Sequence, residues 1–123
     1  MNERDKNVLL KIVEEAAALA QMLHGIDESA FLTNDEKMRA TCMTLINIGE
    51  LVKNLDDSFR ERHDQIPWKD MAGLRDVTAH GYFTLRMSDI WISAATELPV
   101  YAKQIRDILE NRDNSEETVS AKP

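Results

Sequence analysis

The side chains best suited to chemistry concentrate in one short segment, between Leu74 and Phe83. Arg75, His80 and Tyr82 fall within eight positions there and bring together a guanidinium, an imidazole and a phenol. An imidazole exchanges a proton near neutral pH, and a guanidinium stabilises charge on a phosphate while it keeps its own. This combination suits the cleavage of phosphodiesters.

The spacing of Arg75 and His80 does not by itself create a shared site. On an ideal helix, residues five apart lie about 140° apart around the axis and about 7.5 Å apart along it. Both side chains reach one phosphate only if the helix loosens before Gly81 or the arginine bends back. The structural alternative is that Arg75 pairs with a carboxylate such as Asp70 or Asp76, while His80 hydrogen-bonds the last helix carbonyls. Spacing alone leaves both interpretations open.

Length and composition predict a single helical domain. Of the 123 residues 43% are hydrophobic and 30% charged, with four glycines and three prolines, which favours helices over short strands. Cys42 is the only cysteine, so an internal disulfide and a cysteine zinc site are excluded. Its place on the apolar face of the second helix indicates a small residue of the core. With no signal-type or membrane-spanning apolar run, we expect a cytoplasmic protein that does not enter a membrane.

The net charge of −7 argues against a general nucleic-acid binder, because such binding depends on basic side chains that neutralise phosphates. The excess acid lies outside the motif, however. Residues 65–92 carry three basic and three acidic side chains and are therefore neutral. A nuclease active site in this segment stays compatible with the composition.

The apolar periodicity predicts an all-α, up-and-down bundle of four to five helices. The first runs from Asn2 to His24 and ends at Gly25, which is typical of a glycine after a helix. The second starts at Thr33 or Asn34, and its apolar stripe continues for six turns to Phe59. We expect one long helix there, with its end or a short break in the strongly polar run from Asp56 to Gln65.

Proline, glycine and serine residues that start or end helices predict the bounds of the remaining helices. The third begins at Trp68, after Pro67, and ends at Gly81. The fourth has Ser88 as its N-cap and is kinked by Pro99, whose ring removes a backbone donor. The motif therefore lies at the end of the third helix.

One domain and one surplus apolar face complete the predicted organisation. We expect the bundle to comprise residues 1–113 and a disordered C-terminal tail to comprise residues 114–123, which have no apolar periodicity and little bulk. Met43 and Ile46 widen the apolar face of the second helix beyond one seam. That width suits a contact between subunits as well as the core.

A single histidine in the motif poses a chemical problem, because cleavage of RNA by its own 2′-hydroxyl benefits from both a base and an acid. His24 and His63 lie outside the motif and are typical of solvated histidines at helix ends. A two-fold homodimer solves the problem if the motif lies near the axis, since symmetry then brings a second His80 and a second Arg75 to the site.

Four segments of the chain resemble the HEPN superfamily, and specifically the HepT-like toxins. They cover nearly the whole chain to about Asn111 and occur in the family's order. They are the R-x4-H-x-Y signature at Arg75, His80 and Tyr82, the second-helix run Ile48-Gly49-Glu50, the run Ile66-Pro67-Trp68 that leads into the motif, and Leu98-Pro99 in the last helix.

This resemblance implies a HEPN-type homodimer with two motifs facing one cleft, and metal-independent cleavage of RNA that uses no cofactor. His80 would be the general acid or base, and Arg75 would hold the scissile phosphate. Asp76, which is often Asn in close relatives, would orient Arg75 or His80 or else weaken RNA binding.

The resemblance also implies the toxin of a type II or type VII-like toxin–antitoxin system, neutralised by a nucleotidyltransferase antitoxin. That antitoxin would modify Tyr82 with AMP, although position alone is also typical of a half-buried structural tyrosine. Net acidity and Asp76 favour an alternative, a non-catalytic subunit that binds nucleotide or presents substrate to a nucleotidyltransferase. A third hypothesis is a dimeric scaffold in which the motif residues only stabilise the interface between the subunits.

Overall fold

The chain is all-α in a computed structural model. The structure describes the backbone of residues 1–79 and 86–121 and the side chains of residues 1–73 and 86–111. Within the described backbone there are seven α-helices, one π-helical turn and no strand. The elements are α1 (Glu3–Leu23), α2 (Glu28–Leu32), α3 (Asp35–Lys53), α4 (Asp57–Arg62), α5 (Trp68–Ala79), α6 (Met87–Ile92), the π turn (Ser93–Glu97) and α7 (Leu98–Ala121).

The four long helices form a bundle in which α3 packs against α1 and α5, and α7 packs against α1. Two contacts make α1 and α3 antiparallel. The Lys37 ammonium at the start of α3 donates to the Met22 carbonyl near the end of α1 (2.8 Å), and the Asp56 N–H just beyond α3 donates to Asp5 Oδ1 at the start of α1 (3.1 Å). Among the described residues, no helix is long and apolar enough to cross a membrane.

The core is built from the apolar stripes that the sequence predicts. Each stripe repeats at three and four residues, which keeps its members on one helix face. Fully or almost fully buried members include Leu9, Ile12 and Leu19 of α1, Leu45, Ile48 and Val52 of α3, and Leu98 and Ile105 of α7.

Local signals at helix ends are confirmed in two places. Gly25 has φ of 80°, the left-handed conformation that ends α1 after His24. Asn34 caps α3, because its side-chain oxygen accepts a hydrogen bond from the Lys37 N–H at 3.0 Å. Of the two predicted capping residues, Asn34 is therefore the one used.

Helix α3 ends at Lys53, shortly before the run from Asp56 to Gln65 in which the helix end or a short break is predicted. Leu55 and Phe59 still reach the core, at 3% and 0% exposure, so the apolar stripe is real. The backbone nevertheless leaves the helix at Asn54, and the Asp56 N–H is bonded to Asp5 instead of to a helical carbonyl. A partner about 50 residues away in sequence thus ends the helix.

Asp5 is the buried acid of this junction, with only 1% of its surface exposed. Besides the Asp56 N–H, the junction contains a hydrogen bond from Asn2 Nδ2 to Asp56 Oδ2 at 2.6 Å. Asn2 also caps α1 by accepting the Asp5 N–H at 2.7 Å. These bonds tie the N-terminus of α1 to the start of α4.

The last helical segment differs from the prediction at its start and contains a π turn before its proline. Helix α6 begins at Met87 with Arg86 in the N-cap position, so Ser88 is not the cap. Before Pro99 the chain adopts the π turn, in which the Leu98 N–H donates to the Ser93 carbonyl. Proline lacks an N–H and crowds the preceding turn, and a widened turn accommodates both effects.

Helix α7 continues to Ala121, whereas the sequence predicted a disordered tail from residue 114. Over 114–121 the described backbone is therefore helical instead of irregular. The division of the chain into a bundle, residues 1–113, and a separate tail stays a prediction.

The Asp5 junction generates a stability prediction. We expect Asp5→Ala to lower the free energy of unfolding by about 1.5–3 kcal/mol, because it removes a charged acceptor from a buried hydrogen bond. Asp5→Asn, which keeps an acceptor oxygen, should lose less. Urea unfolding followed by circular dichroism measures both. Glu3→Ala is the control for charge in the first turn of α1, and an Asp5→Ala loss no larger than the Glu3→Ala loss would contradict the role of the junction.

Candidate active site

The structure places the arginine of the motif on α5. Arg75 and Asp76 lie in this helix, about one turn before its last residue, Ala79. Their side chains, together with His80, Gly81 and Tyr82, lie outside the described residues. The position of the site follows from the two helices that carry and flank the motif.

The start of α5 is fixed by an aromatic cluster. The helix begins at Trp68, as predicted, and this side chain is 5% exposed. Its indole N–H donates to the His63 carbonyl at 2.9 Å, and its ring centroid lies 6.0 Å from that of Phe59. The flanking residues Ile66 and Met71 are buried as well. This cluster determines the position of α5 along its own axis.

The packing of α5 against α3 determines the rotation of α5 about its own axis. With a rise of 1.5 Å per residue, Arg75 lies about 10 Å along the helix from Trp68. On the other side of the motif, α6 is fixed by Ile90, which is 2% exposed, and by Trp91, whose ring lies 5.1 Å from that of Phe31. Trp91 is thus a packing residue. Both helices that flank the motif are anchored in the core.

An acidic cavity lies between the first turn of α5 and the π turn. It has a volume of about 190 Å³ and is lined by Asp70, Ser93, Glu97, Leu98 and Tyr101. The hydroxyls of Ser93 and Tyr101 donate to the two carboxylate oxygens of Glu97 at 3.3 and 3.4 Å. Burial and the nearby charges of Glu97 and Asp70 raise the pKa of Tyr101. Its negative potential makes this cavity unsuitable for a phosphate.

The other titratable candidate side chains, two histidines and the cysteine, lie at helix ends or in the core. His24 and His63 stand in the C-cap positions of α1 and α4, as predicted for helix-end histidines. The His63 ring packs on Phe59 with 4.6 Å between centroids, and burial, followed by the Arg62 charge, lowers its pKa. Cys42 is 6% exposed, and burial raises the pKa of its thiol, which disfavours a reactive thiolate.

Sequence reasoning missed the acidic cavity and the π turn. Ser93, Glu97 and Tyr101 are spaced four apart, which is a visible signal for neighbours on one helix face. Their proximity to Asp70 depends on how α5 meets the π turn and leaves no trace in local sequence. Among the described residues, no three His, Cys, Asp or Glu side chains are grouped so as to hold a metal ion.

The His63 contact generates a pH prediction. Because the pKa of His63 is lowered in the folded protein, folding favours the neutral ring; its contribution is complete above the unfolded pKa of about 6.5 and is lost as the pH falls through the lower, folded value. We therefore expect the melting temperature of the native chain, relative to His63→Gln, to fall between pH 7.5 and pH 5. His24→Gln is the matched control, since His24 is exposed. Parallel pH profiles for the native chain and His63→Gln would contradict the prediction.

Comparison with known proteins places this architecture in a family. Residues 12–108 match the family model described as "Ribonuclease HepT-like". The putative RNase TTE0752 of Caldanaerobacter subterraneus is 38% identical over 99 residues, which cover 80% of this chain and 88% of that protein. The putative RNase MJ0127 of Methanocaldococcus jannaschii is 31% identical over 109 residues, covering 89% and 90% of the two chains.

The probable ribonuclease HepT of Thermococcus cleftensis is 29% identical over 99 residues, covering 80% of this chain and 90% of that protein. No solved structure matches significantly. The matched range of the family model spans the core of the bundle and the whole motif from Arg75 to Tyr82. The chain therefore belongs to the HepT-like ribonuclease family of the HEPN superfamily, as its four motif segments predicted.

Proposed function

We propose that the chain is an endoribonuclease toxin that acts without a metal ion, with its active site in the cleft of a homodimer. The observation that carries this proposal is the R-x4-H-x-Y motif, which lies inside the range matched by a ribonuclease family. Arg75 stands on a helix anchored in the core, and His80 follows directly after the last described residue of that helix. Relatives that cover most of the chain are named as RNases.

The proposed chemistry is attack by the 2′-hydroxyl of RNA on its own adjacent phosphate. His80 of one protomer takes the 2′-hydroxyl proton as the oxygen bonds to phosphorus. The bond from phosphorus to the 5′-oxygen breaks, and His80 of the partner subunit gives that oxygen a proton. The products are a cyclic phosphate and a free 5′-hydroxyl. Each histidine ends in the protonation state in which the other began.

Arg75 stabilises the additional negative charge of the phosphorane-like transition state. A guanidinium suits this task because it donates two parallel hydrogen bonds and keeps its charge. Asp76 follows it on α5, where a carboxylate would orient Arg75 or His80. The acidic cavity beside Asp70, nearer the start of α5, repels phosphate. RNA would therefore approach the helix near its other end.

Regulation of the toxin is proposed to act through Tyr82. A cognate nucleotidyltransferase antitoxin would transfer AMP from ATP to the Tyr82 phenol oxygen, releasing pyrophosphate. A nucleotide attached two residues from His80 would occupy the cleft and bring a phosphate charge beside Arg75. The pairing corresponds to a type II or type VII-like toxin–antitoxin system.

A second candidate function is a non-catalytic subunit that binds nucleotide or presents substrate to a nucleotidyltransferase. The net charge of −7 favours it, because this charge weakens the sequence-independent attraction to RNA. The two functions differ in whether His80 performs chemistry.

Cleavage of a labelled RNA pool in excess EDTA tests the proposed activity. We expect the native chain to cleave and His80→Ala to be slower by about 10²-fold or more, because it lacks the proton-transfer group. His24→Ala, a substitution at an exposed helix-end histidine, should cleave like the native chain. The intact mass of each sample identifies any attached nucleotide.

Two outcomes would contradict this function. Absence of cleavage by native protein whose mass shows no added nucleotide would favour the non-catalytic subunit. Equal cleavage by the native chain and His80→Ala would remove His80 from the mechanism. Toxicity of the same variants in cells provides an independent check, since the His80→Ala chain should be harmless and the His24→Ala chain toxic.

A further inference from the structure

Helix α1 carries two parallel apolar seams, and only one of them faces the core. The core seam contains Leu9, Ile12, Ala16, Leu19 and Leu23. One residue further along, Leu10, Val13, Ala17 and Ala20 repeat the same steps of three and four. Leu10 is 47% exposed, Ala17 and Ala20 are exposed, and Val13 is partly buried. A second seam with coiled-coil spacing therefore lies on the surface, and we call these four residues the outer seam.

The outer seam borders a groove between α1 and the last helical segment. The groove has a volume of about 160 Å³ and is lined mainly by small side chains, among them Ala16, Ala17, Ala20, Ala94 and Ala102. Small residues on both walls let another helix approach closely. Covering the exposed apolar surface also lowers the free energy of the assembled state.

Opposite charges flank the outer seam. On the α7 side, Arg106 lines the groove and forms no ion pair with any residue whose side chain is described. On the far side of α1 stands Glu14, whose side chain is 73% exposed and whose contact with the Lys11 ammonium is long, at 3.9 Å. Exposed pairs of this kind contribute little, so Glu14 is available to another partner.

We propose that this face binds the same face of a second copy of the chain, with the two-fold axis parallel to α1. Such an axis exchanges the two flanks of the seam, so that Glu14 of each protomer meets Arg106 of the other. Glu14 lies less than one turn from Ala16 and Ala17, which line the groove together with Arg106, so this arrangement brings Glu14 of each protomer toward the groove of the other. The ion pairs then occur twice around a shared apolar centre.

An antiparallel arrangement of the two copies of α1 is disfavoured by the same charges. A two-fold axis across the seam keeps each flank on its own side and places Glu14 opposite Glu14 and Arg106 opposite Arg106. Like charges in contact oppose association. Charge complementarity thus selects one symmetric arrangement of one occupant.

This contact goes beyond the proposed function, because none of the residues that line it belongs to α5. It would join two of the dimers that form the proposed active site. A face two helices wide and about 20 Å long buries on the order of 400 Å² per protomer, half of a standard interface. We therefore expect association that depends on concentration in the micromolar range.

Sedimentation velocity from 1 to 100 µM tests the contact, with Ala17→Arg as the disrupting variant and Ala18→Arg as its matched control. Ala18 is also exposed on α1 but stands about 100° further round the helix, away from the groove. We expect the native chain and Ala18→Arg to form species larger than a dimer, and Ala17→Arg to remain a dimer. Native protein that never exceeds a dimer, or equal masses for all three chains, would overturn the proposal.

A charge exchange tests the arrangement. Glu14→Arg and Arg106→Glu should each weaken assembly by about tenfold, and the double variant should restore it. Failure of the double variant to recover would overturn the parallel two-fold arrangement. The outcomes also separate this contact from the active-site dimer. If Ala17→Arg yields monomers that no longer cleave RNA, the outer seam is itself the dimer interface, and the α5 cleft proposed for catalysis is wrong.

Discussion

The position of α5 depends on one buried side chain, the indole of Trp68. Its ring packs beside Phe59, and its N–H donates to the His63 carbonyl, which also accepts the Ile66 N–H at 3.2 Å. An indole has both an apolar body and a single directed donor, so it fixes depth and rotation together. Since Arg75 lies two turns along the same helix, a displacement of Trp68 would shift the motif as well.

The bundle uses buried polar bonds where packing alone leaves the register open. Leu and Ile side chains in a helix seam tolerate a slip of one turn, because the apolar pattern repeats. Asp5 permits no slip: its carboxylate must reach the Asp56 N–H, and it does so where the chain leaves α3. The Lys37 ammonium acts at the opposite end of α1. Two polar contacts thus set the register of α1 on α3, and α3 in turn supports α5.

Most of the fold was predictable because its signals are local. Gly25, Asn34 and Trp68 end, cap and start helices through their own conformations and side chains. The polar run from Asp56 to Gln65 predicts a break near the observed one, but the place of the break after Lys53 depends on Asp5, a distant charged residue that sequence patterns place on the surface. The same holds for the cavity that joins Asp70 to Glu97. The roles of Arg75, Asp76, His80 and Tyr82 came from resemblance and not from spacing, and they stay predictions.

Acidity and RNA cleavage are compatible if the charges are separated in space. The carboxylates of Asp70 and Glu97 gather at the start of α5, whereas Arg75 lies five residues beyond Asp70, about 140° further round the helix. At physiological salt, charges separated by more than about 8 Å are largely screened. The acidic cavity therefore repels a phosphate placed beside it more than one bound at Arg75. Under the proposed function, the negative surface would restrict where RNA binds without preventing its cleavage.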